Sequence, residues 1–204
     1  MYKKQMKFQR LVCFIVLAAS VILFIYSLGF ATDLYDALRQ TMDGDSNLYD
    51  DKYITVVKGA EIYCQIQPFN KNLTTAAIIL IICSLALFVT NNHSRRKYYL
   101  ANYITVGISS LANVGVAIWN IINVAGFKNQ YLTTVDFEAL KAFSEKWDTL
   151  YIDQNSTFWF DAGFVVSAIL VVVSIINILN LIWKIKLMKD EAQIIKEGME
   201  DTNA

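Results

Sequence analysis

The chain has 204 residues, 55% apolar and 18% charged, with a mean hydropathy of +0.38 and 18 basic side chains balanced by 18 acidic ones. Soluble domains carry charge on ~25% of positions, so a one-domain length this apolar implies that the excess faces lipid. Zero net charge and three cysteines exclude a basic nucleic-acid binder, an acidic disordered chain and a disulfide-rich secreted scaffold.

Residues 1–10, with Lys3, Lys4, Lys7 and Arg10, form a basic N-terminal segment. Four stretches without Asp, Glu, Lys or Arg follow along the chain: Leu11–Thr32, Asn72–Ser94, Tyr98–Phe127 and Ala162–Trp183. Crossing the roughly 30 Å hydrocarbon layer takes about 20 helical residues, and lipid offers no partner for a bare peptide group, so each stretch is expected to be a spanning helix. The first is too long for a signal core of roughly 7–15 residues, and Thr32-Asp33 is a poor cleavage site, so it is read as retained.

Between the first two spans lies loop 33–71. Asp33–Met42 carries Leu34 and Leu38 on one helical face and is expected to continue the first helix. Asp43, Asp45, Asn47 and Asp51 have part of the spacing of a calcium loop, but Leu48 stands where the sharp turn needs Gly and Ile54 where a bidentate Glu is needed. A solvated polar turn is the preferred reading, and no metal or other cofactor is expected. Tyr53–Val57 and Ala60–Ile66 are β-branched and aromatic runs about Lys58-Gly59, which predicts a hairpin over 53–66. Cys64 would sit buried on its second strand; Cys13 and Cys83 lie in spans, which excludes an intrachain disulfide in the loops. Asn72-Leu73-Thr74 and Asn155-Ser156-Thr157 fit the glycosylation pattern by chance as readily as by function.

Arg95-Arg96-Lys97 make a tight basic turn, with the single histidine, His93, beside it. The third span, 98–127, is longer than a bilayer requires, and its last residues are expected to project beyond it. Loop 128–161 contains Thr134–Tyr151, whose Phe137, Leu140, Phe143, Trp147 and Leu150 recur at helical spacing. An amphipathic helix over 134–151, capped by Thr133 or Thr134, is predicted to pack on the hairpin as a small cap. Asp161 is expected to cap the fourth span, and a carboxylate pair with Asp33 is the less favoured alternative. The tail, 184–204, mixes Ile194, Ile195 and Met199 with charges.

The N-terminus, the 95–97 turn and the C-terminal tail hold 11 basic and five acidic residues; the two long loops hold seven and 13. The positive-inside rule then predicts a plasma-membrane protein with both termini cytoplasmic and both long loops outside. Tyr26, Phe158, Trp159 and Phe160 read as an aromatic belt on the outer side, Tyr98, Tyr99 and Trp183 on the inner. Lys, Ile and Asn richness with a single proline suggests a bacterial chain.

Each span carries a stripe of small or polar residues. Asn102, Ser109, Asn113, Asn120 and Asn123 share a face of the third; Gly163, Ser167, Ser174, Asn177 and Lys184 share one of the fourth, with Asn180 beside it. Cys13, Ser20 and Ser27 mark the first, and Ala77, Ser84 and Asn91 the second. Interhelical hydrogen bonds and close packing of small residues hold helices together in lipid. An antiparallel register with Tyr98 level with Lys184 would set Asn102 against Asn180, Thr105 against Asn177, Ser109 against Ser174 and Gly115 against Ser167. With no ionisable residue inside a span, packing is favoured over a solute path.

The order of long outer loop with hairpin, tight inner turn, elongated third helix and shorter outer loop is similar to the claudin-like tetraspan layout. The tryptophan and paired cysteines of that family's first loop have no counterpart here, so the resemblance implies layout and no adhesive or pore-forming role. No phosphate loop, HExxH, CxxC or GxSxG motif is present. The expectation is a non-enzymatic, all-α, four-helix membrane protein that partners other membrane proteins or its own copies and binds no nucleic acid, with a channel or small-solute carrier lined by the Asn and Ser seams as the alternative.

Overall fold

The computed structural model describes residues 2–41, 56–92 and 99–202. Among the described residues five helices follow one another: α1 Tyr2–Arg39, α2 Ile62–Asn92, α3 Tyr99–Thr134, α4 Phe137–Trp147 and α5 Phe158–Thr202. Among the described residues there is no strand. Four of the helices, all but α4, are long and apolar enough to cross a membrane. Each overlaps one of the expected spans and runs past it at one end or both, α1 and α5 containing theirs whole, because a charged side chain ends a span without ending the backbone hydrogen bonding of a helix. Thus Lys128, Asn129 and Gln130 continue α3, and Lys184, Lys186 and Lys189 continue α5.

The chain divides into two compact units. The first comprises Met1–Ser20, Leu80–Gly115 and Ile169–Ala204, the second Val21–Ile79 and Val116–Ala168. The core of the second unit is aromatic. Phe30 of α1 meets Phe69 of α2 at 6.2 Å and Phe160 of α5 at 5.8 Å, Phe69 meets Trp119 and Phe127 of α3 at 4.9 and 5.2 Å, and Tyr131 meets Phe160 at 5.5 Å. Such tilted and edge-on pairs add about 0.5–1.5 kcal/mol each beyond the area they bury. Tyr26 and Phe160 are buried in this core, not arranged as a belt at the helix ends, whereas Phe158 is exposed.

The hairpin over 53–66 is not formed. Lys58-Gly59 does turn, with Gly59 at φ +83° and Ala60 N–H bonded to the Val57 carbonyl at 3.2 Å, but the chain leaving it enters α2. The reason is visible in what is buried: Ile62, Ile66, Phe69, Leu73, Ala77 and Leu80 recur every three or four residues, with Tyr63 beside them, which is the period of a helix face. Cys64 accordingly lies half-buried on α2 rather than on a strand. The first run's Tyr53–Thr55, the calcium-spaced Asp43, Asp45, Asn47 and Asp51, and the 95–97 turn with His93 lie outside the described residues. Without its hairpin, the claudin-like layout retains only its order of helices and loops.

The second helix prediction holds with shorter bounds. Its cap is Asp136, extended at φ −83° and ψ 93°, whose carboxylate accepts from Ala139 N–H at 3.0 Å. Thr134 is unavailable as a cap because it is the last residue of α3, its hydroxyl bonded back to the Gln130 carbonyl at 2.6 Å. Asp148, at φ 52°, ends α4 and donates its N–H to the Ser144 carbonyl.

Candidate functional site

The sequence-predicted seam residues are brought inside. In the first unit Asn102, Ser109, Asn113, Ser174, Asn177 and Asn180 are buried and Thr105 half-buried; in the second, Ser167 is buried. The polar stripes of α1 and α2 lie inside as well: Ser20 and Ser84 meet across their helices at 3.2 Å, and Thr74 donates to Ser27 at 3.0 Å.

Asn102 is the centre of the most connected set, in the first unit. Its Oδ1 accepts from Gln9 Nε2 at 2.9 Å and from Lys184 Nζ at 2.6 Å. Gln5 Nε2 is within bonding distance of Gln9 Oε1 at 3.1 Å and of Asn180 Oδ1 at 3.2 Å. Three helices are thereby joined by amides and one ammonium. Lys184 stands one residue beyond the expected span but is only 3% exposed, so a cation does enter the bundle. Gln5 and Gln9 went unassigned in the basic N-terminus, although Gln5, Gln9 and Cys13 continue the α1 stripe at four-residue steps.

Helices α3 and α5 are antiparallel here, and their register differs from the expected one by about one turn. Lys184 is level with Asn102, Asn177 donates to Ser110 at 3.1 Å, and Thr105 bonds Thr90 of α2 at 2.9 Å. Within the second unit Asn120 meets α5, donating to Ser167 Oγ at 2.9 Å and to the Gly163 carbonyl at 3.1 Å, where the expected register pairs Ser167 with Gly115. Sequence stripes give the face of a helix but not its height, because a shift of one turn leaves the face unchanged.

Both amide atoms of Asn91 and of Asn113 are buried without a hydrogen-bond partner among the described residues. Such groups cost about 1–3 kcal/mol each unless water or a bound polar group meets them.

The second unit offers a different feature. A groove of about 300 Å³ is lined by Val56, Val57, Ala139, Ala142, Phe143, Lys146 and Trp147. Of the predicted apolar face of α4, Leu140 is buried, Phe143 half-buried and Trp147 60% exposed. Lys146 stands 5.1 Å over the Trp147 ring. The segment bearing the groove is fixed to the helices by Val56 N–H to the Thr41 carbonyl at 2.9 Å, Asp136 N–H to the Lys58 carbonyl at 3.0 Å, and Leu150 N–H to Gln40 Oε1 at 2.9 Å.

Asp161 lies inside the first turn of α5, where the helix dipole favours an anion, rather than at the residue that precedes the helix. It accepts from Thr157 Oγ1 at 2.8 Å and pairs with Lys128 at 2.6 Å, the carboxylate exposed and the lysine half-buried. A surface pair of this kind contributes about 0–1 kcal/mol. The Asp33 side chain lies outside the described residues. Among the described residues no three His, Cys, Asp or Glu side chains come together as a metal-binding group.

Comparisons with protein-family models, curated proteins and solved structures found no match to this chain. What the fold and sites define is therefore an all-helical chain with four helices long and apolar enough to span a membrane.

Proposed function

We propose that this chain is a non-enzymatic, multi-pass protein of a bacterial plasma membrane that acts as an accessory or scaffold subunit of a membrane complex such as a transporter. Both termini are cytoplasmic in this reading, which the placement of 11 of the 18 basic residues in the termini and the 95–97 turn supports. The observation that carries the docking role is the groove of Val56, Phe143 and Trp147, because apolar surface outside the spans is where partner proteins bind. Asp136, Glu138, Glu145 and Asp148 outnumber Lys141 and Lys146 around it, so the partner presents an apolar anchor with a basic rim.

A second reading, a homo-oligomeric channel or small-solute carrier, is favoured by the buried amides of Asn91 and Asn113, whose hydrogen bonds a file of water or a polar solute would supply. Purification in mild detergent of wild type and a Phe143→Asp/Trp147→Asp variant separates the two. A foreign membrane protein in 1:1 ratio, lost from the variant, supports the first. A homogeneous homo-oligomer that passes solute in liposomes, unaffected by the variant, rejects it in favour of the second.

A further inference from the structure

In the first unit a second groove, of about 350 Å³, lies between α1 and α5 and is lined by Phe8, Ile176, Leu179, Asn180 and Trp183. Its volume is at the lower end of the ~300–1,000 Å³ of small-molecule sites. The two rings that border it, Phe8 and Trp183, stand 6.0 Å apart at 60° and are each roughly two-fifths exposed. Ile176, Leu179 and Trp183 recur at steps of three and four on one face of α5, and the next position on that face is Lys186. On α1 the position one turn before Phe8 is Lys4. Both lysines are exposed. Gln5 of α1 bonds Asn180 of α5, so Lys4 stands next to that contact and Lys186 one turn beyond Trp183, the two lysines bracketing the residues that line the groove.

An apolar slot with rings along it and a lysine on each of its two helices has the polarity of a single amphiphile. We propose that the groove binds one acyl chain of an anionic phospholipid, with Lys4 and Lys186 on the head-group phosphate. Basic positions beside helix grooves recognise anionic head groups, each lysine adding attraction that a zwitterionic lipid does not return. Trp183 has an indole N–H for the ester region, where tryptophan rings favour the head-group layer. Asn180 has its Oδ1 engaged by Gln5, which leaves its amide nitrogen as the donor on that wall. The site rests on the membrane-spanning reading and is independent of the partner at α4.

Native mass spectrometry of the full chain in detergent, titrated with phosphatidylglycerol and with phosphatidylcholine of matched chains, tests it. Wild type retains the anionic lipid with about tenfold preference. Lys4→Gln/Lys186→Gln abolishes the preference, while Phe8→Ala/Trp183→Ala lowers retention of both lipids. Both Lys4 and Lys186 are exposed, so the first variant leaves the buried seams intact. Equal retention of the two lipids by wild type, a preference that survives the lysine substitutions, displacement by millimolar inorganic phosphate, or a lipid-insensitive dimer closing the groove would each overturn the site. Recovery of the chain from the aqueous fraction without detergent would refute the membrane reading as well; equal lipid retention after detergent extraction refutes the site alone.

Discussion

Asn102 is the residue on which most depends in the first unit, since a single carbonyl oxygen accepts from both Gln9 and Lys184. Replacing it with leucine strips an acceptor from a buried ammonium and a buried amide at once, and the expected loss is about 3–5 kcal/mol, the scale for breaking a buried charged contact. Thermal unfolding in detergent should show a large drop for Asn102→Leu and partial recovery for Asn102→Leu/Lys184→Leu, which removes the cation too. No recovery would mean that the ammonium is stabilised elsewhere. Gly59 is demanding for a different reason. Its φ of +83° disfavours any side chain, and a methyl group there would clash with the Thr134 carbonyl oxygen. Gly59→Ala should destabilise by at least ~2 kcal/mol, the strain of a forced left-handed residue plus a backbone clash, read as a lower melting temperature. Gly115→Ala, with nothing within 4 Å of the added carbon, should be silent. Residue types told part of this in advance: Ser20, Ser84, Asn102, Asn113, Ser174 and Asn180 are buried, while Thr105 and Asn123 are half-buried. They misled for Tyr26 and Phe160, because ring chemistry suits a membrane interface and a buried core equally well.

At the scale of elements, the helices were legible and their heights and caps were not. Four uncharged runs announced four helices, but charge marks where lipid ends rather than where the i to i−4 bonds stop, so α1, α2, α3 and α5 all overran their spans. The hairpin failed because Ile62, Tyr63 and Ile66 satisfy a β-branched composition while their burial follows the helical period, and seven residues were too few to separate the two patterns. The antiparallel register of α3 on α5 is open to a direct check. Cysteines at Ser110 and Asn177 should form a disulfide on oxidation, whereas cysteines at Thr105 and Asn177, the pair one turn off, should not. The reverse result would restore the register expected from the stripes. For α4, Asp136→Ala removes the side-chain acceptor of Ala139 N–H and should cost about 1 kcal/mol, with looser presentation of Phe143 and Trp147.

At the scale of the whole molecule, zero net charge conceals a sharp segregation. Basic residues gather at the termini and the 95–97 turn, acidic ones in the two long loops, with four apolar helices between. That pattern was readable from the sequence because it depends on position along the chain and not on packing. The exposed groove beside α4 and the one between Phe8 and Trp183 were not, since each needs residues far apart in sequence to meet. The proposed docking role and the proposed lipid site both rest on the proposal that the chain is inserted in a membrane, with both termini cytoplasmic. Single cysteines placed at Lys4, Lys141 and Lys189 in a chain lacking Cys13, Cys64 and Cys83, probed in intact cells with a membrane-impermeant thiol reagent, test it most directly. Lys141→Cys should label in intact cells, and Lys4→Cys and Lys189→Cys only after permeabilisation; labelling of all three in intact cells, or of the termini but not of α4, would contradict it.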